Sequence, residues 1–227
     1  MFLELFFGSP AIAFAWVAAI LISLTVHEFS HALMAKMRGD RTAEREGRLT
    51  LNPIAHMDPM GTILILLFGF GWAKPVPYNP YNLKDSKWDS VRIGLAGPAS
   101  NMIMAIAAGI GFRLLVGGDA LSVFNLLSIF LFLLILLNLF LLLFNIIPVH
   151  PLDGSKLFFA LFDKPKYARM RHLVATRGPQ VLMVAVLLSA FTSFNIFFFI
   201  SEPSFAICDA LTGTSCIRYF SGIFSLI

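Results

Sequence analysis

The stretch Pro10–Arg38, PAIAFAWVAAILISLTVHEFSHALMAKMR, decides how the rest of the chain is read. It is apolar and longer than the roughly 20 residues a helix needs to cross a bilayer, yet it holds His27, Glu28 and His31. Ser9-Pro10 in front reads as an N-cap with proline at the first helical position, and Gly39-Asp40 as the stop. Ionisable side chains at membrane depth cost roughly 2.5–3.5 kcal/mol each on insertion scales and are functional by default. Residues four apart share a helix face, so His27 and His31 can reach one metal ion. Glu28 lies beside them, placed to take a proton from water at that metal. By chance such a pattern arises on the order of 0.002 times in a chain of this composition.

Working outward, the 227 residues are 58% hydrophobic and only 13% charged, where soluble domains carry about 25% charged residues. Mean hydropathy is +0.80. Too little polar surface exists to cover a water-facing globule, so the chain reads as an all-α integral membrane protein of one domain, 1–227. Its beginning lacks a basic region and a small-residue cleavage site, so no removable signal peptide is expected. Val91–Val116 and Leu121–Ile147 are two further long apolar runs, joined by Gly117-Gly118-Asp119, and residues 181–200 form an additional span. Met60–Trp72 is apolar but short and contains Gly61, Gly69 and Gly71, which suits a re-entrant segment. Asp40–Asp58 reads as loop with short strands, and Pro75, Pro77 and Pro80 exclude helix after Ala73. The core is expected at 10–157, and the tail 201–227 is not placed.

Of the 17 Lys and Arg, all but Arg113 and Arg218 fall in Lys36–Arg48, Lys74–Arg92 and Lys156–Arg177. The positive-inside rule puts these three loops in the cytoplasm. Met60–Trp72 then enters and leaves on one side. The expected architecture is a polytopic bundle of about four full spans plus one re-entrant segment, with short cytoplasmic strands or loops and both termini outside. Although the net charge is +4, the basic residues flank apolar runs and form no tract, which argues for a lipid bilayer and no nucleic acid.

A catalytic zinc takes three protein ligands and keeps one position open. Asp153, in Asn145-Ile-Ile-Pro148-Val-His150-Pro151-Leu-Asp153-Gly154, lies just past the third full span, at the depth and on the side of His27 and His31. The rival reading makes Asp153 a plain helix N-cap. HEFSH in an apolar helix, Gly97-Pro98-Ala99-Ser100-Asn101 and N-x-x-P-x-x-P-L-D-G together resemble the site-2 protease family. These are intramembrane zinc metalloproteases that cleave transmembrane segments of other proteins. The stretch Gly47–Pro80 resembles the compact prokaryotic branch without added PDZ or CBS domains. The resemblance implies one Zn2+ per chain on His27, His31 and Asp153, Glu28 as general base, and Asn145 holding substrate or the developing oxyanion. It also implies transmembrane protein substrates and a multi-pass protein of the prokaryotic inner membrane, its site towards the cytoplasm. His150 stands where the family usually has a small or apolar residue, leaving open a fourth imidazole near the metal.

Other residues read more plainly. Gly97–Asn101 suits close helix packing more than substrate contact. His56 reads as a loop histidine, His172 as a membrane-surface residue, and Asn125 and Asn138 as interhelical hydrogen-bond partners. Cys208 and Cys216 are either a disulfide or two free thiols. Two other function classes compete: a membrane metal-ion or proton transporter, and an inactive protease-like helix-binding protein. The first does not need Asp153 at its spacing, and the second usually loses a ligand or the base.

Overall fold

The computed structural model describes residues 6–68, 71–118, 120–192 and 196–224. Helix α1 (Pro10–Met37) starts at Ser9 with proline in its first turn. It is followed by the short α2 (Thr42–Arg45), α3 (Pro59–Phe68) and the long α4 (Ser86–Val116). Then come α5 (Leu126–Asn145), α6 (Gly154–Leu161), α7 (Ala168–Phe191), α8 (Phe198–Thr212) and α9 (Cys216–Phe224). The side chains of Asp85 and Asn125 cap α4 and α5 by accepting backbone N–H groups of their first turns, which satisfies donors that a helix start leaves unpaired.

Among the described residues, four helices are long and apolar enough to cross a membrane: α1, α4, α5 and the segment Pro165–Ser189. The protein is a polytopic all-α membrane protein. Helices α1, α4 and α5 pack on one another around Trp16, Phe112, Phe132 and Leu139. Only 6% of the apolar stretch in α7 is buried, against 50% in α5, so most of α7 faces what surrounds the bundle, which for such a surface is lipid.

The segment read as re-entrant returns to where it began. Met57 bridges to Ala73 across α3, and a Cβ on Gly61 would lie 2.1 Å from the Trp72 carbonyl oxygen. Only glycine allows that approach. Among the described residues the Met57–Ala73 bridge is isolated, and no strand forms. In the stretch 74–79, Lys74 N–H donates to His56 O, Val76 N–H to Glu28 and Asn79 N–H to Asp40. With prolines at 75 and 77, few donors remain there for a strand ladder.

The last span differs from the sequence expectation. The helix covers Ala168–Phe191 rather than 181–200 and closes at Thr192 in extended backbone. The hydropathy pattern marks only its apolar half. The helix also extends back through Arg169, Arg171 and Arg177, whose long side chains stay exposed or half-exposed at its end. The tail forms a hairpin, with α8 packed on α5 and α4 and α9 packed on α8. Cys208 and Cys216 join its arms as a disulfide, and Tyr219 Oη donates to Val123 O.

Candidate metal centre

The site is built on three helix segments that meet near one end of the bundle. His27 and His31, one turn apart on α1, lie with ring centroids 4.6 Å apart and planes at 87°. Asp153 comes from the turn between α5 and α6. That turn folds back so tightly that a Cβ on Gly154 would lie 2.2 Å from Ile146 O, which explains the glycine after the aspartate. The Asp153 side chain makes no helix-capping bond, so the plain N-cap reading does not hold. Its Oδ2 lies 3.2 Å from both His27 Nε2 and His31 Nε2, and the two Nε2 atoms are 3.0 Å apart. All three residues are buried. Among the described residues, they are the cluster that could hold a metal ion.

The partners of the far ring nitrogens fix what the near ones offer. His31 Nδ1 lies 2.6 Å from Ile93 O. A carbonyl only accepts, so Nδ1 carries the proton and Nε2 presents a lone pair. Pro98, one turn along α4, has no N–H to return to Gly94 and loosens the ladder near this level.

His27 Nδ1 lies 2.6 Å from Asn101 Oδ1, and Asn101 is itself oriented. Its Nδ2 donates to Asn138 Oδ1 at 2.7 Å. Asn138 Nδ2 in turn donates to Leu134 O and to Ser23 Oγ, and Ser23 Oγ donates to Ala19 O. Carbonyls at Leu134 and Ala19 set the direction of the whole chain. Asn101 therefore faces His27 with its oxygen, and His27 Nε2 is a bare acceptor like that of His31.

Two imidazole lone pairs and a carboxylate oxygen thus converge with no proton among them. Such a set repels itself unless a cation sits between. Donors at 2.0–2.1 Å from a tetrahedral zinc are about 3.3 Å apart, close to the 3.0–3.2 Å separations here. The residues fit the metal. The other oxygen of Asp153 accepts from Lys156 Nζ at 2.8 Å, which leaves one carboxylate oxygen for an ion.

Glu28 is buried next to the cluster, and its Oε2 accepts Val76 N–H at 3.1 Å. The Pro-rich stretch thereby lies against this carboxylate, and Arg48 donates to Lys74 O at its start. Asn145, at the end of α5, donates one Nδ2 N–H to Leu141 O of its own helix at 3.0 Å. His150 is exposed and His56 is buried away from the three.

The sequence reading missed Gly97 and Asn101 as parts of this centre. A Cβ on Gly97 would lie 2.5 Å from His31 Nε2 and 2.6 Å from His27 Nε2. The motif is a packing motif, but what it packs against is the pair of imidazoles. An asparagine buried in an apolar helix beside small residues was the available signal.

A multi-helix membrane bundle enclosing a two-histidine, one-carboxylate donor set defines a membrane-embedded metalloprotein. Comparison with known proteins makes the class specific. The model of peptidase family M50 matches residues 15–126 and 112–188, and the chain belongs to that family. Membership makes it a metalloprotease, with zinc as its metal. The chain is 46% identical over 160 residues to a Bacillus subtilis (strain 168) protein named "Putative zinc metalloprotease YwhC", covering 68% of this chain and 72% of that one. It is 36% identical over 95 residues to "Putative zinc metalloprotease Rip2" of Mycolicibacterium smegmatis (strain ATCC 700084 / mc(2)155), covering 40% of this chain and 36% of the relative. No solved structure matches.

Proposed function

We propose that this protein is an intramembrane protease of the site-2 type. In this reading His27, His31 and Asp153 hold zinc, and Glu28 is the general base for hydrolysis of peptide bonds in or near transmembrane segments. The observation that carries the reading is the convergence of three proton-free donors beside a buried carboxylate, inside helices that cross a bilayer.

Zinc held there supplies Lewis acidity to the scissile carbonyl and the attacking water. Glu28 takes the proton of that water and hands it to the leaving amine. Its Oε2 is held by Val76 N–H, which leaves Oε1 free for the water. Asn101 and Ile93 O keep both imidazoles in the tautomer that presents Nε2. Lys156 holds the spare oxygen of Asp153 and so orients the other. Asn145 stands eight residues before Asp153; one of its two amide N–H groups is held by Leu141 O, and the other would be the donor to a developing oxyanion. Helical amides are hydrogen-bonded internally, so substrate spans unwind locally before they are cut. Basic loops at the site's end of the bundle orient it to the cytoplasm of a cell membrane.

The test is cleavage of a panel of transmembrane model substrates in liposomes, with bound zinc quantified. Wild type is expected to cleave, Glu28→Gln to keep zinc and be inert, and Asp153→Ala to lose zinc. Wild-type protein that is folded yet binds no metal overturns the reading.

A further inference from the structure

A cavity of about 220 Å³ opens between the first turns of α4, the helix α6 and Tyr78 of the Pro-rich stretch, and the chemistry above does not use it. Ser86, Lys87 and Ser90 form its α4 wall, and Lys156 and Phe159 its α6 wall. Gly94 continues the same face of α4 two turns on from Lys87. A Cβ there would lie 2.5 Å from Lys156 Cδ. The stem of Lys156 thus rests on α4, and both lysines reach the one cavity.

The lining has a sign. Among the described residues it holds two ammonium groups and no carboxylate. Each lysine is held by an acid outside the lining, Lys87 Nζ by Asp163 at 2.6 Å and Lys156 Nζ by Asp153 at 2.8 Å. An ammonium has three N–H groups, so each lysine is anchored by one bond and keeps others to give. Both are open to a ligand, with side chains 39% and 25% exposed. The exposed Ser86 adds a hydroxyl at the rim, whereas Ser90 spends its O–H on Ser86 O and serves only as floor. The first N–H groups of α4 are taken by Asp85, so side chains, and not the helix end, meet the ligand. Tyr78 and Phe159 give the cavity an apolar flank. Such a lining suits a small anion carried on an apolar body, and the volume lies below the roughly 300–1,000 Å³ of sites for drug-sized ligands.

Depth in the membrane says which anion. The apolar run of α4 starts at Val91, directly after Ser90, so the cavity opens where α4 enters lipid. Trp88 is exposed beside it, with Lys87 Nζ 5.4 Å from its ring centroid, as befits the membrane–water boundary. Lipid phosphates are concentrated at that level. We propose that this cavity binds a phosphate group on Lys87 and Lys156, its source the headgroup of an anionic phospholipid in the leaflet at this end of the bundle. The binding does not depend on proteolysis. Because Lys156 also holds Asp153, the lipid and the metal centre share a side chain.

The probe is phosphatidylglycerol, titrated into the metal-free protein in neutral detergent and read as bound lipid by native mass spectrometry. One copy is expected to bind at least about fivefold more tightly than phosphatidylcholine, whose choline cation is repelled by the lysines. Lys87→Ala weakens phosphatidylglycerol about fivefold or more. Asp163→Asn, which frees Lys87 of its competitor, strengthens it about two- to fivefold. Both variants break the same ion pair, so binding that falls in both is a disturbance of the fold and overturns the site. Lys164→Ala removes the same charge from outside the cavity and is expected to leave the affinity unchanged. A loss equal to that of Lys87→Ala means attraction by the basic surface as a whole and overturns the site. Ser90→Leu fills the cavity without touching either charge and weakens the lipid about tenfold; unchanged binding there overturns the site, as does equal binding of the two lipids. Glycerol phosphate that competes at the lipid's own affinity upholds the phosphate site and removes the lipid as its source. Lys87-dependent binding of an acidic peptide where neither phosphate probe binds overturns the proposal in favour of a protein contact.

Discussion

Replacing Asn101 tests whether the chain of amides behind His27 sets the metal centre. Asn101 is fully buried and makes two bonds, 2.6 Å to His27 Nδ1 and 2.7 Å to Asn138 Oδ1. Asn101→Leu unmakes both and strands a donor and an acceptor. At about 1–3 kcal/mol per stranded group, the apo fold loses about 2–6 kcal/mol. Losing the group that holds a ligating imidazole in its tautomer weakens metal binding about 10–100-fold. Asn101→Asp separates the two effects. One carboxylate oxygen still accepts from His27, so zinc affinity stays within about threefold of wild type. The other oxygen faces Asn138 Oδ1, and Asn138 cannot turn because its Nδ2 is held by Leu134 O and Ser23 Oγ. That contact, together with the burial of a carboxylate at membrane depth, costs the fold at least about 1–3 kcal/mol. Competition with a fluorescent chelator in nanodiscs reads the affinity, and thermal unfolding of the apo protein reads the fold. Wild-type zinc affinity in Asn101→Leu refutes the reasoning, as does an equal loss in both variants.

Three further outcomes follow from other contacts. Gly97→Ala places a methyl within 2.6 Å of both imidazoles; zinc affinity is expected to fall at least about tenfold while α4 stays helical by circular dichroism. Asn145→Ala leaves zinc affinity unchanged, because Asn145 is outside the His27, His31 and Asp153 donor set, and its effect is expected in kcat. Asp40 sits just past α1 and accepts from Thr42 N–H and Oγ1–H, Asn79 N–H and Asn82 Nδ2. Burial alone would raise its pKa, but bonds from Asn82, Thr42 and Asn79 bring it below the ordinary carboxylate value. A lowered folded pKa means the stabilisation is present above the unfolded value and is lost as pH falls through the folded one. Asp40→Asn therefore costs about 2 kcal/mol at pH 7 and progressively less below about pH 4 in denaturation series.

The centre was legible where chemistry imposes a spacing. His27 and His31 share a face because a helix turns every 3.6 residues, and Asp153 joins them because span counting puts it at the same end. The re-entrant segment was legible from its length, and the Met57–Ala73 bridge closes it as expected. Asn101 and Asn138 were harder. Each alone is an asparagine in an apolar helix, and only the packing of α1, α4 and α5 shows that they form a line ending at His27. The limits of α7 and the hairpin beyond it were not legible either. Hydropathy marks where a chain is apolar, whereas helix ends follow backbone hydrogen bonding, and the Cys208–Cys216 link depends on how α8 and α9 pack.

The line from Ser23 through Asn138 and Asn101 to His27 also has a history in time. Its contacts join residues 74 and 115 positions apart, so α1 is made well before its partners exist. At 5–20 residues per second, Asn138 follows Ser23 by on the order of ten seconds. For most of that interval α1 holds two imidazoles and a carboxylate without the asparagines that later support them. The long alanine- and isoleucine-rich half before Ser23 is what keeps such a helix in lipid while it waits. Polar changes in that half, far from the metal, should therefore show first as lost protein in the cell, before any change in the activity of the molecules that survive.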